Sequence, residues 1–427
     1  MIPELDITKV DTDNQELQQA LQIVQFTHNS LFLTGKAGTG KSTFLRYIAA
    51  TTKKKHVVLA PTGIAAINAG GVTLHSFFRL PFHPLLPTDI RYSAREIRKT
   101  LRYNGDKIKL LRELELIIID EVSMVRADII DFIDKVLRIY CHKMREPFGG
   151  KQMLFVGDIY QLEPVLKEED RHLLSPFYKG VYFFSANIFQ TFPLVSIELR
   201  KVYRQTDPRF IAILDHIRTN RMTAGDLSAL NAHVSNAPLK AESDEGILSI
   251  TLSAKRDNAD WINNEELSKL PGDEIEFEGT IEGEFPESSL PTPQLLRLKV
   301  GAQVMFVKNN PEHLWVNGTL GVVTAIDEEQ GCLYVKTEEE GRLLVGRELW
   351  QNVRYHFDEV EKKIVEEQIG TYTQFPLKLA WAITIHKSQG LTFQRADIDL
   401  CNGAFAAGQT YVALSRCTSL EGIRLHR

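Results

Sequence analysis

The chain has 427 residues, enough for roughly two to four folded units at about 150 residues each. With 43% hydrophobic and 25% charged residues, 27 Gly and 17 Pro, it is globular in composition, which excludes collagen-like, low-complexity and wholly disordered classes. Fifty Lys plus Arg against 55 Asp plus Glu give a net charge of -5, so no overall basic surplus announces a polyanion partner.

Residues 1–10 carry Glu4 and Asp6 where a signal peptide would carry basic residues, and no charge-free apolar stretch of about 18 residues occurs. The expectation is a soluble cytoplasmic protein, nucleoid-associated if bacterial. Short apolar runs at 30–34, 57–60, 116–120, 153–157 and 181–184 alternate with helical stretches and predict an α/β unit with a parallel sheet covered on both faces. Between them, 93–112 is basic, with Arg95, Arg98, Lys99, Arg102, Lys107 and Lys109 on predicted helix, and reads equally as a solvated face or a phosphate-facing surface. Cys141, Cys332, Cys401 and Cys417 form no C-x-x-C pair, which leaves no zinc ribbon or iron-sulfur site. After about Pro271 the character changes. An acidic run at 273–287 precedes short alternating segments at 295–308, 318–326, 332–336 and 343–348, with a turn dipeptide at Asn317-Gly318. This predicts a β-rich insert of about 75 residues, after which 378–385 and 409–416 return to α/β character.

The segment Gly35-Lys36-Ala37-Gly38-Thr39-Gly40-Lys41-Ser42 fits G-x-x-x-x-G-K-[ST] between a predicted strand and a predicted helix. Glycines there turn backbone N–H groups toward phosphates, and the helix start favours anionic charge. Lys41 then reaches the β and γ phosphates and the Ser42 hydroxyl takes Mg²⁺. The apolar run 116–119 ends in Asp120 and Glu121, the first suited to the metal and the second to polarising water. No N-K-x-D sequence of the kind that reads guanine lies downstream, which favours ATP.

Further blocks follow in an order that resembles superfamily 1 helicases. They are Ala60-Pro61-Thr62-Gly63, Thr73-Leu74-His75-Ser76-Phe77-Phe78, Asp120-Glu121-Val122-Ser123-Met124, Gly157-Asp158-Ile159-Tyr160-Gln161, Val202-Tyr203-Arg204-Gln205, Ile385-His386-Lys387-Ser388-Gln389-Gly390 and Tyr411-Val412-Ala413-Leu414-Ser415-Arg416. The set, with Pro147-Phe148-Gly149-Gly150-Lys151-Gln152, is most similar to the petite-integration-frequency (PIF) helicases and their RecD-like relatives. This resemblance implies two RecA-like lobes with parallel sheets, lobe 1 at 1–190 with a small insertion at about 66–92, and lobe 2 at 191–294 and 371–427. It also implies an SH3-like β-barrel at 295–370, inserted in the second lobe.

The same resemblance implies an ATP-dependent, Mg²⁺-requiring DNA helicase that moves 5′ to 3′ on single-stranded DNA, with DNA junctions, G-quadruplexes and RNA-DNA hybrids as further substrates. It implies roles in repair, recombination and telomere maintenance, and a monomer when free. Arg204 and Arg416 stand at its finger positions, where positive charge meets the γ-phosphate. Gln161 senses that phosphate or is a buried structural amide. Asn14 and Gln18 resemble an adenine-reading segment, and Thr43 and Gly390 add nucleotide contacts. The strand track takes Thr62, Gly63, His75 and Phe77 from the first lobe and Lys255, Arg256, Asn258, Thr384, His386 and Lys387 from the second, although Phe77-Phe78 also suits a core. The alternative is a P-loop ATPase that remodels or phosphorylates a substrate other than nucleic acid. Charge distribution bears on the choice: 273–367 holds 20 acidic and 9 basic residues, leaving 41 basic against 35 acidic on the motif-bearing remainder.

Overall fold

The computed structural model describes residues 11, 13–81, 83–235, 248–338, 340–401, 403–404 and 406–426, with the backbone alone at 288. The chain divides into two compact units. Met1–Ile159, Glu163–Val202 and Val353–Ile369 form the first, and Tyr160–Leu162, Tyr203–Asn352 and Gly370–Arg427 the second. Among the described residues no helix is long and apolar enough to cross a membrane.

The first unit runs α1 (Gln15–Phe26), β1 (Leu31–Gly35), α2 (Lys41–Thr51), β2 (His56–Ala60), α3 (Gly63–Ala69), β3 (Val72–Thr73), α4 (Leu74–Phe78), α5 (Ala94–Leu101), α6 (Gly105–Glu113), β4 (Leu116–Ile119), α7 (Ala127–Tyr140), β5 (Gln152–Val156), α8 (Glu168–Leu174) and β6 (Val195–Leu199). Its strands form one sheet in the order β3-β2-β4-β5-β1-β6, and every pair is parallel. β4 and β5 are buried along their whole length, as strands covered on both faces must be. Because successive side chains alternate, Ile117, Ile119, Met153 and Phe155 enter one core, and Leu116, Ile118, Leu154 and Val156 enter the other. A wholly parallel sheet brings all its carboxyl ends to one edge, where such folds bind ligands.

The expected strand at 181–184 is absent. Tyr182 makes a single antiparallel bridge to Arg126, and Phe183–Ser185 is a 3₁₀ turn. Phe183 is drawn instead into an aromatic cluster, with ring centroids 5.1 Å from Phe32 and 5.5 Å from Phe155. The sixth strand is β6, which the sequence reading missed. Its residues lie on the sheet edge and are mostly exposed, so they lack the buried-strand signature.

The second unit contains α9 (Pro208–Arg218), α10 (Ala224–Asn231), β7 (Ile250–Ser253), α11 (Arg256–Lys269), β8 (Ile275–Glu278), β9 (Thr280–Gly283), β10 (Leu295–Leu298), β11 (Gln303–Phe306), β12 (Leu320–Asp327), β13 (Cys332–Thr337), β14 (Gly341–Val345), β15 (Glu348–Asp358), β16 (Lys363–Gln374), β17 (Leu377–Leu379), β18 (Ala382–Thr384), β19 (Ala396–Asp399), α12 (Gln409–Leu414) and β20 (Ile423–His426). The outer parts of β15 and β16 belong to the first unit. A four-stranded parallel sheet, β18-β7-β19-β20, gives the second unit its own α/β layer.

The β-rich insert is a five-stranded antiparallel sheet, β14-β13-β12-β11-β17, around Phe306, Trp315, Val323, Leu333, Val335 and Leu377. Its last strand comes from beyond residue 370, after the β15-β16 hairpin, because β11 pairs with β17 on its open side. Asn317-Gly318 makes its turn, with Thr319 N donating to Val316 O at 3.0 Å and Gly318 at φ 103°. The turn ends a longer loop between β11 and β12 and is not a two-residue hairpin.

Candidate active site

The loop between β1 and α2 is shaped by positive φ at Gly38 (78°) and Gly40 (85°), a region that costs glycine nothing. Gly40 is the N-cap of α2. Thr39 is buried, and its hydroxyl donates to Lys36 O at 2.9 Å, pinning the loop. Lys41 Nζ donates to Gly35 O at 2.6 Å and to Lys36 O at 2.8 Å. The ammonium therefore rests on neutral acceptors of its own loop, which a phosphate oxygen outcompetes because it brings a full opposite charge to the bond. Ser42 is exposed on the first turn of α2, followed by half-buried Thr43, and Ala37 is buried at the loop's base.

Asp120 follows β4 and is buried. Its carboxyl is pushed above the usual carboxylate range, first by burial and then by the negative charge of Glu121; the Glu121 N–H, Lys41 and Arg46 pull the other way. Asp120 Oδ1 accepts from Glu121 N at 2.9 Å. Glu121 itself is held at φ 47°, a left-handed conformation that costs a non-glycine residue of order 1–3 kcal/mol and persists where the surroundings impose it. Two acidic groups are thus set together beside Lys41 and Arg46. A divalent cation would relieve their repulsion, so the donor set suits one. Among the described residues no group of three His, Cys, Asp or Glu side chains gathers to hold a metal alone. Such a cation at Ser42 and Asp120 would complete its shell from phosphate and water.

Asn14 caps α1, its side chain accepting from Leu17 N at 3.1 Å, while Gln18 is exposed on the same helix. Thr62 and Thr73 cap α3 and α4, and Gly63 starts α3. His75 is half-buried, and burial and then Arg126 lower its pKa, which favours the neutral ring. Phe77 departs from the strand track. It is 4% exposed, packs edge-on against Phe78 and Tyr355, and has the Lys107 ammonium 3.2 Å from its centroid. The ring is core, with a cation already on its face, and offers no platform to a base.

In the second unit Gln161 is buried, its Oε1 accepting from Gln389 Nε2 at 3.3 Å. A Cβ on Gly408, before α12, would lie 2.2 Å from Gln161 O, so only glycine lets these segments meet. Arg204 is half-buried and donates Nη1 to Ser415 O at 3.1 Å. Arg416 is 1% exposed; its guanidinium donates to Val412 O (2.9 Å), Leu391 O (3.3 Å), Ser388 O (3.5 Å) and the Ser415 hydroxyl (2.8 Å). Gly390, at φ 82°, stands between two of these acceptors in sequence and is exposed.

Lys255 and Arg256 are exposed at the start of α11, with Arg256 3.3 Å from Asp260. Asn258 turns inward and donates to Ser253 Oγ and Asp399 Oδ2, both at 3.0 Å. Its amide fixes the end of β7, which makes it a positioning residue. Thr384 Oγ1 accepts from Lys387 N at 3.2 Å, Lys387 is exposed, and burial lowers the pKa of His386. Two groups escaped the sequence reading. Gln205 ties its block to Ser415 O at 3.2 Å and Cys417 O at 2.9 Å, and Arg46 adds positive charge at Asp120. Gln205 lies inside a recognised block, but nothing in the pattern separates its amide from a surface one.

A family model described as PIF1-like helicase matches residues 11–222, and one described as DNA helicase Pif1, 2B domain, matches 284–326. The ATP-dependent DNA helicase PIF1 of Danio rerio is 34% identical over 424 residues, covering 96% of this chain and 60% of that protein. The ATP-dependent DNA helicase Pif1 of Campylobacter jejuni is 31% identical over 414 residues, covering 93% of this chain and 89% of that one. Bacteroides sp Pif1, solved in complex with ADP-AlF4, is 41% identical over 96% of this chain and 91% of its own, with a TM-score of 0.86. Bacteroides Pif1 bound to ssDNA is 42% identical over the same shares, with a TM-score of 0.66. The chain spans about 60% of the length of the vertebrate relatives it matches. Identity of this extent, on a phosphate loop and acidic strand end set at one sheet edge, establishes that the chain belongs to the PIF1-like helicase family.

Proposed function

We propose that the chain is an ATP-dependent DNA helicase that translocates 5′ to 3′ on single-stranded DNA and unwinds duplex, with G-quadruplexes and RNA-DNA hybrids as further substrates. The observation that carries this reading is the sheet edge where Lys41, which donates to two loop carbonyls, meets the buried Asp120 and strained Glu121. Relatives named as ATP-dependent DNA helicases, and Bacteroides Pif1 solved with ADP-AlF4 and with ssDNA, support the rest.

In this reading the loop N–H groups from Gly35 to Ser42 cradle the triphosphate, with Asn14 and Gln18 near the base and Thr43 and Gly390 as further contacts. Lys41 exchanges its carbonyls for β and γ oxygens. Ser42 and Asp120 hold Mg²⁺, which when bound neutralises charge on the phosphates. Glu121 orients and deprotonates the attacking water, and Gln161 reports the γ-phosphate. Arg204 and Arg416, carried by the second unit, stabilise the charge that develops during hydrolysis. Single-stranded DNA runs over Thr62, Gly63 and His75 and over Lys255, Arg256, Thr384, His386 and Lys387, and its affinity falls as salt rises. The first motor lobe, expected to end at 190, extends to 202 because β6 joins its sheet; 203–294 with 371–427 serves as the second lobe and 295–370 as the inserted barrel.

The deciding experiment is unwinding of a 5′-tailed and a 3′-tailed duplex, with and without ATP. ATP-dependent unwinding from the 5′ tail alone is expected. Unwinding from the 3′ tail alone reverses the polarity, and turnover indifferent to DNA returns the chain to the P-loop alternative.

A further inference from the structure

β6 lies beside β1, and the register pairs Leu199 with Gly35, where the phosphate loop begins. The approach is close, since a Cβ on Gly35 would lie 2.7 Å from Leu199 O. The chain that leaves β6 at Arg200 and Lys201 therefore starts at the same sheet edge as the loop. There it meets the segment that leads into α1. Lys201 Nζ lies 2.5 Å from Asp11 Oδ2, and a cavity of about 280 Å³ is lined by Asp11, Asp13, Asn14, Glu16, Arg200 and Lys201. A second cavity, of about 520 Å³ between α1 and β6, shares Glu16 and Arg200 with the first. All of these residues belong to the first unit.

The charges around the first cavity are not all matched. Lys201 is taken by Asp11. Arg200 is exposed and, among the described residues, makes no ion pair, although Asp13 and Glu16 line the same space. Three carboxylates against two cations make the cavity unfavourable for a phosphate group and favourable for hydroxyl and amino donors. An arginine without a carboxylate partner is free to lay its planar guanidinium on the face of an aromatic ring. A ligand that carries an aromatic ring and hydroxyl donors, and whose phosphates reach the neighbouring loop, answers both features. That description is a nucleotide with its nucleoside end in the cavity.

We propose that Arg200 is a nucleoside-binding residue of the ATP site, its guanidinium stacked on the base while Asp13 and Glu16 accept from the ribose hydroxyls. The inference rests on the reading of the phosphate loop as an ATP site. It adds to Asn14 and Gln18 a side chain that lies outside the recognised sequence blocks, which resume only at Val202. Lys41 and Arg200 then divide the nucleotide between them, the first serving the phosphates and the second the base. Removing Arg200 costs affinity only for ligands that carry a base.

The test is equilibrium binding of Mg-ATP and of Mg-tripolyphosphate, which has the phosphates without the nucleoside, to the parent, Arg200→Gln and Arg200→Lys. The parent is expected to bind ATP more tightly than tripolyphosphate. Arg200→Gln is expected to weaken ATP binding about five- to thirtyfold, the range of a stacked cation, and to leave tripolyphosphate binding within about twofold of the parent. Arg200→Lys keeps the charge without the planar fork and is expected to recover less than half of the lost factor. Parental ATP affinity in Arg200→Gln overturns the assignment, as does an equal loss for both ligands, which would place Arg200 on the phosphates or in the fold. Full recovery in Arg200→Lys overturns the stacked guanidinium. A parent that binds tripolyphosphate as tightly as ATP removes the nucleoside subsite and leaves the phosphate loop standing, whereas a parent that binds neither overturns the functional reading and this inference with it.

Discussion

In the phosphate loop of the first unit, Lys41 donates to two carbonyls of its own loop. In the second unit, Arg416 is buried and donates to three carbonyls and a hydroxyl from two chain segments. One cation is parked, and the other joins the 388–391 segment to α12. A parked side chain separates function from stability, whereas one built into the packing cannot be removed without both changing.

The largest effect expected is at the parked end. Lys41→Ala removes the charge proposed to meet the β and γ phosphates, so ATP turnover is expected to fall by more than about 10³-fold. The urea midpoint is expected to move less than in Arg416→Ala, because Lys41 is half-buried whereas Arg416 is 1% exposed. Normal turnover by this variant breaks the assignment of the loop. The two arginines then test the contrast directly. Arg204→Ala, at a half-buried residue that donates to the Ser415 carbonyl, lowers turnover by about 10²- to 10³-fold with stability changed by less than about 1 kcal/mol. Arg416→Ala leaves buried carbonyls unsatisfied and lowers stability by about 3 kcal/mol alongside activity. Denaturant unfolding and single-turnover hydrolysis on the same preparations distinguish them. Parental stability in Arg416→Ala erases the contrast.

The loop and the acidic strand end were legible because their chemistry is local: glycines at fixed offsets, a lysine and a serine, and an apolar run stopping at two carboxylates. The parallel sheet was legible where strands are buried on both faces, as in β4 and β5. It was misread at 181–184, whose Val-Tyr-Phe-Phe composition suits a strand but is taken up by the Phe32–Phe155–Phe183 cluster. It was missed at β6, where exposure removes the periodic signal. The joint use of Gln205, Ser415 and Cys417 depends on contacts between residues far apart in sequence. No window along the chain contains them. Charge balance was legible only regionally, since the acidic residues concentrate in 273–367.

Phe77 carries the smallest prediction and sharpens the contrast on the nucleic-acid side. A base stacked on an aromatic ring is worth about 1–3 kcal/mol by alanine substitution, so a platform residue lowers DNA affinity about fivefold or more when truncated. Phe77 instead packs among Phe78, Tyr355 and the Lys107 ammonium. Phe77→Leu keeps most of its volume and costs about 1 kcal/mol of stability through packing and the lost cation–π contact. Single-strand affinity, measured well below the melting transition, is expected to stay within about twofold of the parent, since about 0.4 kcal/mol of binding energy corresponds to that factor. A fivefold loss with unchanged stability would return Phe77 to the strand track, and would mean that the ring leaves its core position when DNA binds.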